Sequence, residues 1–248
     1  MKEPFIIAVS GLHRGDNPQP GSAVIRSIRR SVPDVAIIGL SYDSLESGLY
    51  CDDLDRIDAA YSMPFPATGP NILLERIDEI LSTHPLSMII PCLDAEISNY
   101  ISIAESLKQR RVKIVLPTHD SFDARSKEKL VALGLESKVS VPQTIVAGDI
   151  ASAYQAAAQI GYPVLIKGRL YEAFTVSSPA ELHYAFFHLT SLWGAPVIIQ
   201  ERIVGDEYDV IGVGDGAGGI VGSCSIRKML LNNSGKAFSG IVIEDKGL

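Results

Sequence analysis

The chain has 248 residues, of which 46% are hydrophobic and 21% charged, and its formal net charge is −7. That apolar content excludes a disordered polypeptide, and the negative balance excludes a general nucleic-acid-binding surface, because a polyanion would be repelled. The three cysteines, Cys51, Cys92 and Cys224, are scattered without a CxxC pair, which excludes a disulfide framework and predicts reduced thiols in a cytoplasm.

In the first half, short apolar runs alternate with amphipathic stretches. PFIIAVSG (4–11) reads as a buried strand and SAVIRSIRRS (22–31) as a helix with Ser22 as its N-cap. DVAIIGLSY (34–42) is a second strand, NILLERIDEILSTH (71–84) a helix and SMIIPCLD (87–94) a third strand. EISNYISIAESLKQRR (96–111) is one helix and KIVLPT (113–118) a fourth strand. This alternation predicts βαβ crossovers and a mostly parallel sheet. Ligands of such sheets sit beyond the carboxyl ends of the strands, so Ser10, Gly11, Pro91 to Asp94 and Glu96 form the expected rim.

The pattern changes near THDSFDARSKEKL (118–130). A helix, SKEKLVALGLE (126–136), leads through the strand VSVPQTIVA (139–147) into the Ala-rich helix DIASAYQAAAQIG, which ends at Gly161. PVLIKGR (163–169) and EAFTVSS (172–178) are strands. PAELHYAFFHLTSLWG (179–194) is a helix with Pro179 in its first turn, and PVIIQERIVG (196–205) is a strand. DEYDVIGVGDGAGGIVGSCSIRKM (206–229) reads as a long hairpin turning at Asp215-Gly216, and AFSGIVIEDKGL (237–248) opens a further strand.

Several motifs are decoys. Gly214, Gly216 and Gly219 fit G-x-G-x-x-G, but a strand-type sequence, IVGSCSI, follows where the dinucleotide fingerprint requires a helix. GDNPQPG (15–21) lacks the Lys-Ser/Thr of a phosphate loop and reads as a polar loop before a helix; contact with a small substrate stays open there. Cys92 beside Asp94 has no histidine near it in sequence and reads as a small core residue. His183 and His188 fall on different helix faces, so no histidine spacing predicts a metal site. The first apolar run is too short for a signal sequence and no apolar span of about 18 residues follows, which predicts a soluble, cytoplasmic protein without membrane contact.

One charge is out of place. GYPVLIKGRL runs Val164, Leu165 and Ile166 into a core and then presents Lys167. A buried ammonium needs water, a carboxylate or an anion. Four pieces occur in order around it: Lys127 in SKEKL, Lys167, the segment Gln200-Glu201-Arg202-Ile203, and Glu207. A nucleoside triphosphate asks for these types, with cations for phosphates, a backbone edge for adenine and a carboxylate for ribose hydroxyls. Each also has a purely structural reading: Lys127 as a solvated helix residue, Glu201-Arg202 as an exposed ion pair, Glu207 as a turn residue. Lys228, beside Arg227 on the return strand of the hairpin, can reach a phosphate or an acidic substrate, or lie in solvent.

In this order the chain resembles the ATP-grasp superfamily, in particular its carbamoyl-phosphate-synthase large-subunit and biotin-carboxylase type. The matching residues are SKEKLVALGL, VPQTIVA, GYPVLIK, PAEL and VIIQERIVGDEYDV, within Asp120 to Lys228. The preceding βα region, including IIPCLDAEISNY (89–100), is similar to the family's usual N-terminal partner. The resemblance implies an α/β fold with a parallel-sheet domain at 1–118, an α+β lid at 119–199 and the first antiparallel strands of an ATP-grasp core at 200–248. It implies an ATP site in which Lys127 and Lys167 meet phosphates, Gln200, Glu201 and Ile203 form the adenine hinge, Glu207 binds ribose and Lys228 reaches phosphate. The implied activity is ATP-dependent carboxylate–amine or carboxylate–thiol ligation through an acyl phosphate.

Two departures from the family stand out. GRLYEA after Lys167 carries only Gly168 where the family has a glycine-rich cover, with Arg169 as a stand-in phosphate donor. The family's Mg²⁺ ligands lie beyond the strand that ends near Glu244-Asp245, so none is assigned here, nor is a catalytic residue. The resemblance therefore implies a chain incomplete for catalysis by itself. It would be a truncated ligase, one half of a split ligase completed by a second chain, or a noncatalytic nucleotide-sensing or partner-binding protein. The expected partners are ATP, a small carboxylate and further copies of the chain, which would cover an unfinished sheet.

Overall fold

A strand buried on both faces of a sheet must be apolar at nearly every position, and the first strand, β1 (Ile6–Ser10), is buried throughout. The computed structural model describes residues 5–15, 18–169, 172–231 and 237–244. The chain divides into two units, Met1–His119 and Asp120–Leu248.

In the first unit β1 is followed by α1 (Gly21–Ser31), β2 (Ala36–Ser41), β3 (Ala59–Ser62), α2 (Pro70–Thr83), β4 (Met88–Ile90), α3 (Asp94–Ser102), α4 (Ala104–Gln109) and β5 (Lys113–Ile114). The five strands are parallel in the order β3-β2-β1-β4-β5. The period-two alternation of strands divides the core: Ile6, Ala8, Ile38 and Leu40 pack with Ile77, Ile80, Tyr100 and Leu107. Ile7, Val9 and Ile37 pack with Ile25 of α1. Each fully buried side chain of this size contributes roughly 1.5–3 kcal/mol of transfer free energy.

Three details of the first unit differ from the sequence reading. Helix α1 starts at Gly21 behind Pro20 with no side-chain cap, and Ser22 is buried within its first turn. The cause is a close approach: Gly21 N–H donates to the Gly11 carbonyl at 2.9 Å, which brings the helix start against the end of β1. The stretch 96–111 is two helices, α3 and α4, separated at Ile103, whose side chain is buried in the core. Strand β3 is an edge strand of four residues with alternating exposure, too short and too mixed to stand out in the sequence.

The second unit begins with α5 (His119–Ala124), which starts at the last residue of the first. A 3₁₀ turn at Lys127–Lys129 then precedes α6 (Leu130–Ser137), so the helix expected from Ser126 starts later and Lys127 lies in the turn. Next come β6 (Thr144–Ala147), α7 (Ile150–Ile160), β7 (Val164–Lys167), β8 (Ala173–Val176), α8 (Pro179–Trp193) and β9 (Val197–Glu201). The strands form an antiparallel sheet in the order β6-β9-β7-β8. Asp149 caps α7 by accepting the Ser152 N–H at 2.7 Å, and the Ser178 hydroxyl caps α8 by accepting the Glu181 N–H at 3.3 Å. Small residues on α7 (Ala153, Ala156, Ala157) and large ones on α8 (Leu182, Phe186, Leu189) cover Val164, Ile166, Val197 and Ile199 of the sheet.

A second antiparallel sheet comprises β10 (Tyr208–Gly214), β11 (Ile220–Leu231) and β12 (Ala237–Ile243). The glycine run is hairpin punctuation, but the loop spans Asp215 to Gly219 rather than a two-residue turn. Asp215 Oδ1 accepts the N–H groups of Ala217 at 2.7 Å and Gly219 at 2.9 Å, and Gly216 and Gly218 take φ of 79° and 94°. Tyr208, Val210, Ile211 and Val213 of β10 are all exposed. Asp16 and Asn17 of the GDNPQPG loop, Leu170 and Tyr171 after Arg169, Met1–Pro4, and Asp245–Leu248 lie outside the described residues. No described helix is long and apolar enough to cross a membrane.

The Gly21 contact carries a prediction. A Cβ added there would lie 2.2 Å from the Ser10 carbonyl oxygen and 2.5 Å from that of Gly11, both backbone atoms that cannot swing aside. Gly21→Ala is expected to lower stability by about 2 kcal/mol or more, read from the urea unfolding midpoint at unchanged slope.

Candidate functional site

Alternation along β7 sends Val164 and Ile166 into the helix-covered core and leaves Leu165 and Lys167 on the opposite face. Antiparallel register pairs Leu165 with Gln200, and Gln200 with Thr144, so these side chains share that face. A polar chain crosses the three strands. The Thr144 hydroxyl donates to the Pro142 carbonyl at 2.8 Å and accepts Gln200 Nε2–H at 2.9 Å. This orients Gln200, which is 5% exposed, so that its Oε1 accepts from the Lys167 ammonium at 2.6 Å. The out-of-place charge is therefore held by a neutral amide dipole.

Lys127 reaches the same strand end. Its ammonium donates to the Gly168 carbonyl at 3.4 Å. Although much of its length is exposed, surrounding groups desolvate the ammonium and lower its pKa, and the like charge of Lys167 lowers it further. Burial lowers the Lys167 pKa as well, while Glu207 works against that shift. Arg169 pairs with Glu128 at 2.8 Å, so this arginine is engaged by an acid on the Lys127 turn.

Glu207 and Lys228 meet at the base of the hairpin. Lys228 Nζ lies 3.3 Å from both Glu207 and Asp209, and its backbone N–H donates to the Glu207 carbonyl at 2.9 Å. Burial pulls the Lys228 pKa down, but the bonds to Asp209 and Glu207 outweigh it and the net shift is upward. Glu201 closes β9: its N–H donates to the Gln143 carbonyl at 2.8 Å and its carboxylate accepts the Gln143 N–H at 3.1 Å. Beyond it Ile203 is 62% exposed, and among the described residues no backbone hydrogen bond engages it.

Lys127, Lys167 and Gln200 are thus gathered at one strand end, with Glu207 electrostatically coupled to Lys167 and joined to Lys228. Glu201 and Ile203 follow on β9, with the Glu201 side chain committed to the sheet edge. Thr144 and the Gly168 carbonyl were not singled out in the sequence. A threonine in a strand is unremarkable until register shows what it faces. For Mg²⁺, the converging carboxylates Glu207 and Asp209 are held on Lys228, and the described residues contain no group of three or more metal-type ligands. They do not fit a Mg²⁺ site of their own.

At the rim of the first unit one buried carboxylate is fully engaged by the chain's own donors. Glu96, 1% exposed, accepts the Ser10 hydroxyl, the Tyr42 hydroxyl at 2.5 Å, and the N–H groups of Cys92 at 2.9 Å and Leu93 at 3.0 Å. Burial raises its pKa, opposed by those four bonds. Two backbone donors just before the start of α3 are taken by this side chain. The Cys92 thiol is pushed up to about 12 by burial and by Glu96, which makes it unreactive.

No protein-family model matches the chain, and no curated protein sequence does. Solved structures do match, and they define the fold as that of ATP-grasp enzymes. The biotin carboxylase from Campylobacter jejuni, solved with a β,γ-ATP ligand, matches with a TM-score of 0.65 at 17% identity, over 94% of this chain and 53% of that one. An L-amino acid ligase from Bacillus licheniformis matches with a TM-score of 0.67 at 11% identity, over 95% and 55%. The biotin carboxylase domain dimer of the Hydrogenobacter thermophilus 2-oxoglutarate carboxylase, complexed with MgADP, ADP and bicarbonate, gives 0.63 at 16%, over 93% and 51%. The chain spans about half the length of each of these structures.

The polar chain across the sheet predicts a measurable defect. Gln200→Met keeps the length of the side chain but removes the acceptor, leaving the Lys167 ammonium partly buried without it. Stability is expected to fall by about 1–3 kcal/mol in urea unfolding, with the Lys167 side-chain titration moving further down by NMR.

Proposed function

We propose that the chain binds ATP through its second unit, and that the whole protein is an ATP-dependent carboxylate–amine or carboxylate–thiol ligase. One observation carries this reading: in a fold shared with nucleotide-binding ligases, Lys127 and Lys167 converge at the end of β7 with lowered pKa values. Two like charges held together are relieved by an anion, and a triphosphate supplies one.

In this reading residues 119–199 are the lid and residues from 200 begin the core, with 1–118 preceding both. Lys127 and Lys167 hold the phosphates, and Gln200 positions Lys167 for them. Glu201 and Ile203 offer the adenine edge through backbone groups, Glu207 binds the ribose, and Lys228 balances Glu207 or reaches a phosphate. A carboxylate oxygen of the small substrate attacks the γ-phosphorus, ADP leaves, and an acyl phosphate forms; an amine or thiol then attacks the acyl carbon and phosphate leaves. The two ammonium groups stabilise charge on the transferred phosphoryl. Mg²⁺ would accompany the nucleotide, and no residue here is assigned to it. Because the chain spans about half of its structural neighbours, the reaction is ascribed to this chain together with a further segment or a second chain, in a cytoplasmic assembly of several copies.

A second reading, a noncatalytic nucleotide sensor, is favoured by the engagement of Glu207 and Asp209 with Lys228, which removes two carboxylates from metal chemistry.

Calorimetry of the 248-residue chain with ATP, with and without Mg²⁺, tests the reading. Binding that Lys167→Ala weakens about tenfold or more is expected. Absence of binding, or indifference to the substitution, sinks the assignment. ADP formation from a carboxylate and an amine, once a fragment supplying the rest of the core is added, supports the ligase; binding with no turnover even then supports the sensor. The lowered lysine pKa values set the pH dependence. Binding requires both ammonium groups, so affinity should fall as pH rises through their lowered values, at a lower pH than an ordinary lysine near 10.5 would give. A calorimetric series from neutral to alkaline pH, showing proton uptake on binding at its upper end, checks this.

A further inference from the structure

We infer that the first unit carries a second binding site, at the amino-terminal ends of its strands, for a small organic anion with an apolar body. A cavity of about 550 Å³ opens there, at the end of the sheet opposite the carboxyl-end rim. Its walls come from just before β1 (Phe5), the end of α2 and its following turn (Leu81, Leu86), the start of β4 (Ser87) and the α4–β5 junction (Arg111, Lys113). The volume lies within the range of small-ligand pockets and accommodates a ring with a charged group.

The chemistry of the walls is divided. Phe5, Leu81 and Leu86 supply an apolar side. On the polar side Arg110 is committed to Asp78, with Nη2 to Oδ2 at 2.7 Å, and to the Ser106 carbonyl at 3.0 Å. Arg111 and Lys113 are exposed, and among the described residues neither has an acidic partner. Ser87 Oγ accepts the Ile6 N–H at 3.2 Å, which leaves its hydroxyl proton to donate. On a chain of net charge −7, this is a local pair of free cations beside an apolar wall.

The backbone at Arg111 is an independent sign. Its φ is 62°, and its N–H donates to the Lys108 carbonyl at 2.9 Å while Val112 N–H donates to that of Leu107 at 3.0 Å. This closes α4 in the left-handed turn where glycine is normally preferred. Here the position keeps a long cationic side chain despite the steric cost, and that side chain lines the cavity.

Arg111→Gly separates the binding role from a structural one, because glycine suits that φ. The probe is phenyl phosphate, titrated into the isotopically labelled 248-residue chain and followed by amide shifts, beside inorganic phosphate and benzyl alcohol. Phenyl phosphate is expected to move the amides of Ser87, Val112 and Lys113, and each half-probe to bind about tenfold more weakly or less. Arg111→Gly should weaken phenyl phosphate about tenfold while leaving the thermal midpoint unchanged. Should that variant fail to fold, Lys113→Gln takes its place with the same expected loss. No binding in the millimolar range overturns the inference. So do shifts mapping elsewhere, equal affinity for inorganic phosphate, or affinity indifferent to the substitution.

Discussion

A positive charge at the end of an apolar strand has to be satisfied without losing the strand, and the contact between Lys167 and Gln200 does this. The amide of Gln200 is oriented by Thr144, whose own proton is spent on the Pro142 carbonyl, so only an acceptor faces the ammonium. A neutral dipole holds a cation in place without cancelling its charge. A carboxylate at that position would have stabilised Lys167 more and neutralised it. The second lysine, Lys127, is then brought to the same strand end at an electrostatic cost, which an arriving anion would relieve.

The two units treat anion-binding positions in opposite ways. At the carboxyl-end rim of the parallel sheet, where ligands of such sheets usually sit, the chain's own Glu96 is bonded to two hydroxyls and two backbone N–H groups. That side chain ties β1, the Tyr42 segment after β2, and the start of α3 into one network. In the second unit Lys228 is matched by Glu207 and Asp209, whereas the Lys167 ammonium rests on the neutral side-chain oxygen of Gln200.

The order of most elements was legible in the sequence because those strands are apolar runs bounded by turn residues and each long helix has a clear face. Gly161 at the end of α7 and Pro179 at the start of α8 are readable from the residue type alone. Other features were not readable. The start of α1 depends on how closely Gly21 meets the β1 carbonyls, which no local propensity encodes. The break at Ile103 follows from burying one side chain. The four-residue edge strand β3 has too little pattern to declare itself.

The same division runs through the candidate site. The sequence by itself determined which residue types were available and in what order: Lys127, Lys167, the Gln200–Ile203 segment, Glu207 and Lys228. Residue order and hydrophobic period are local properties, so they survive without coordinates. Only the tertiary structure decided which of these groups meet. Strand register across β6, β9 and β7 put Thr144 opposite Gln200 and Gln200 beside Lys167, and a shift of one residue would have turned them to the other face. Pairings between residues tens of positions apart are set by that register and by the packing beneath it, which is why they appear only once the sheet is assembled.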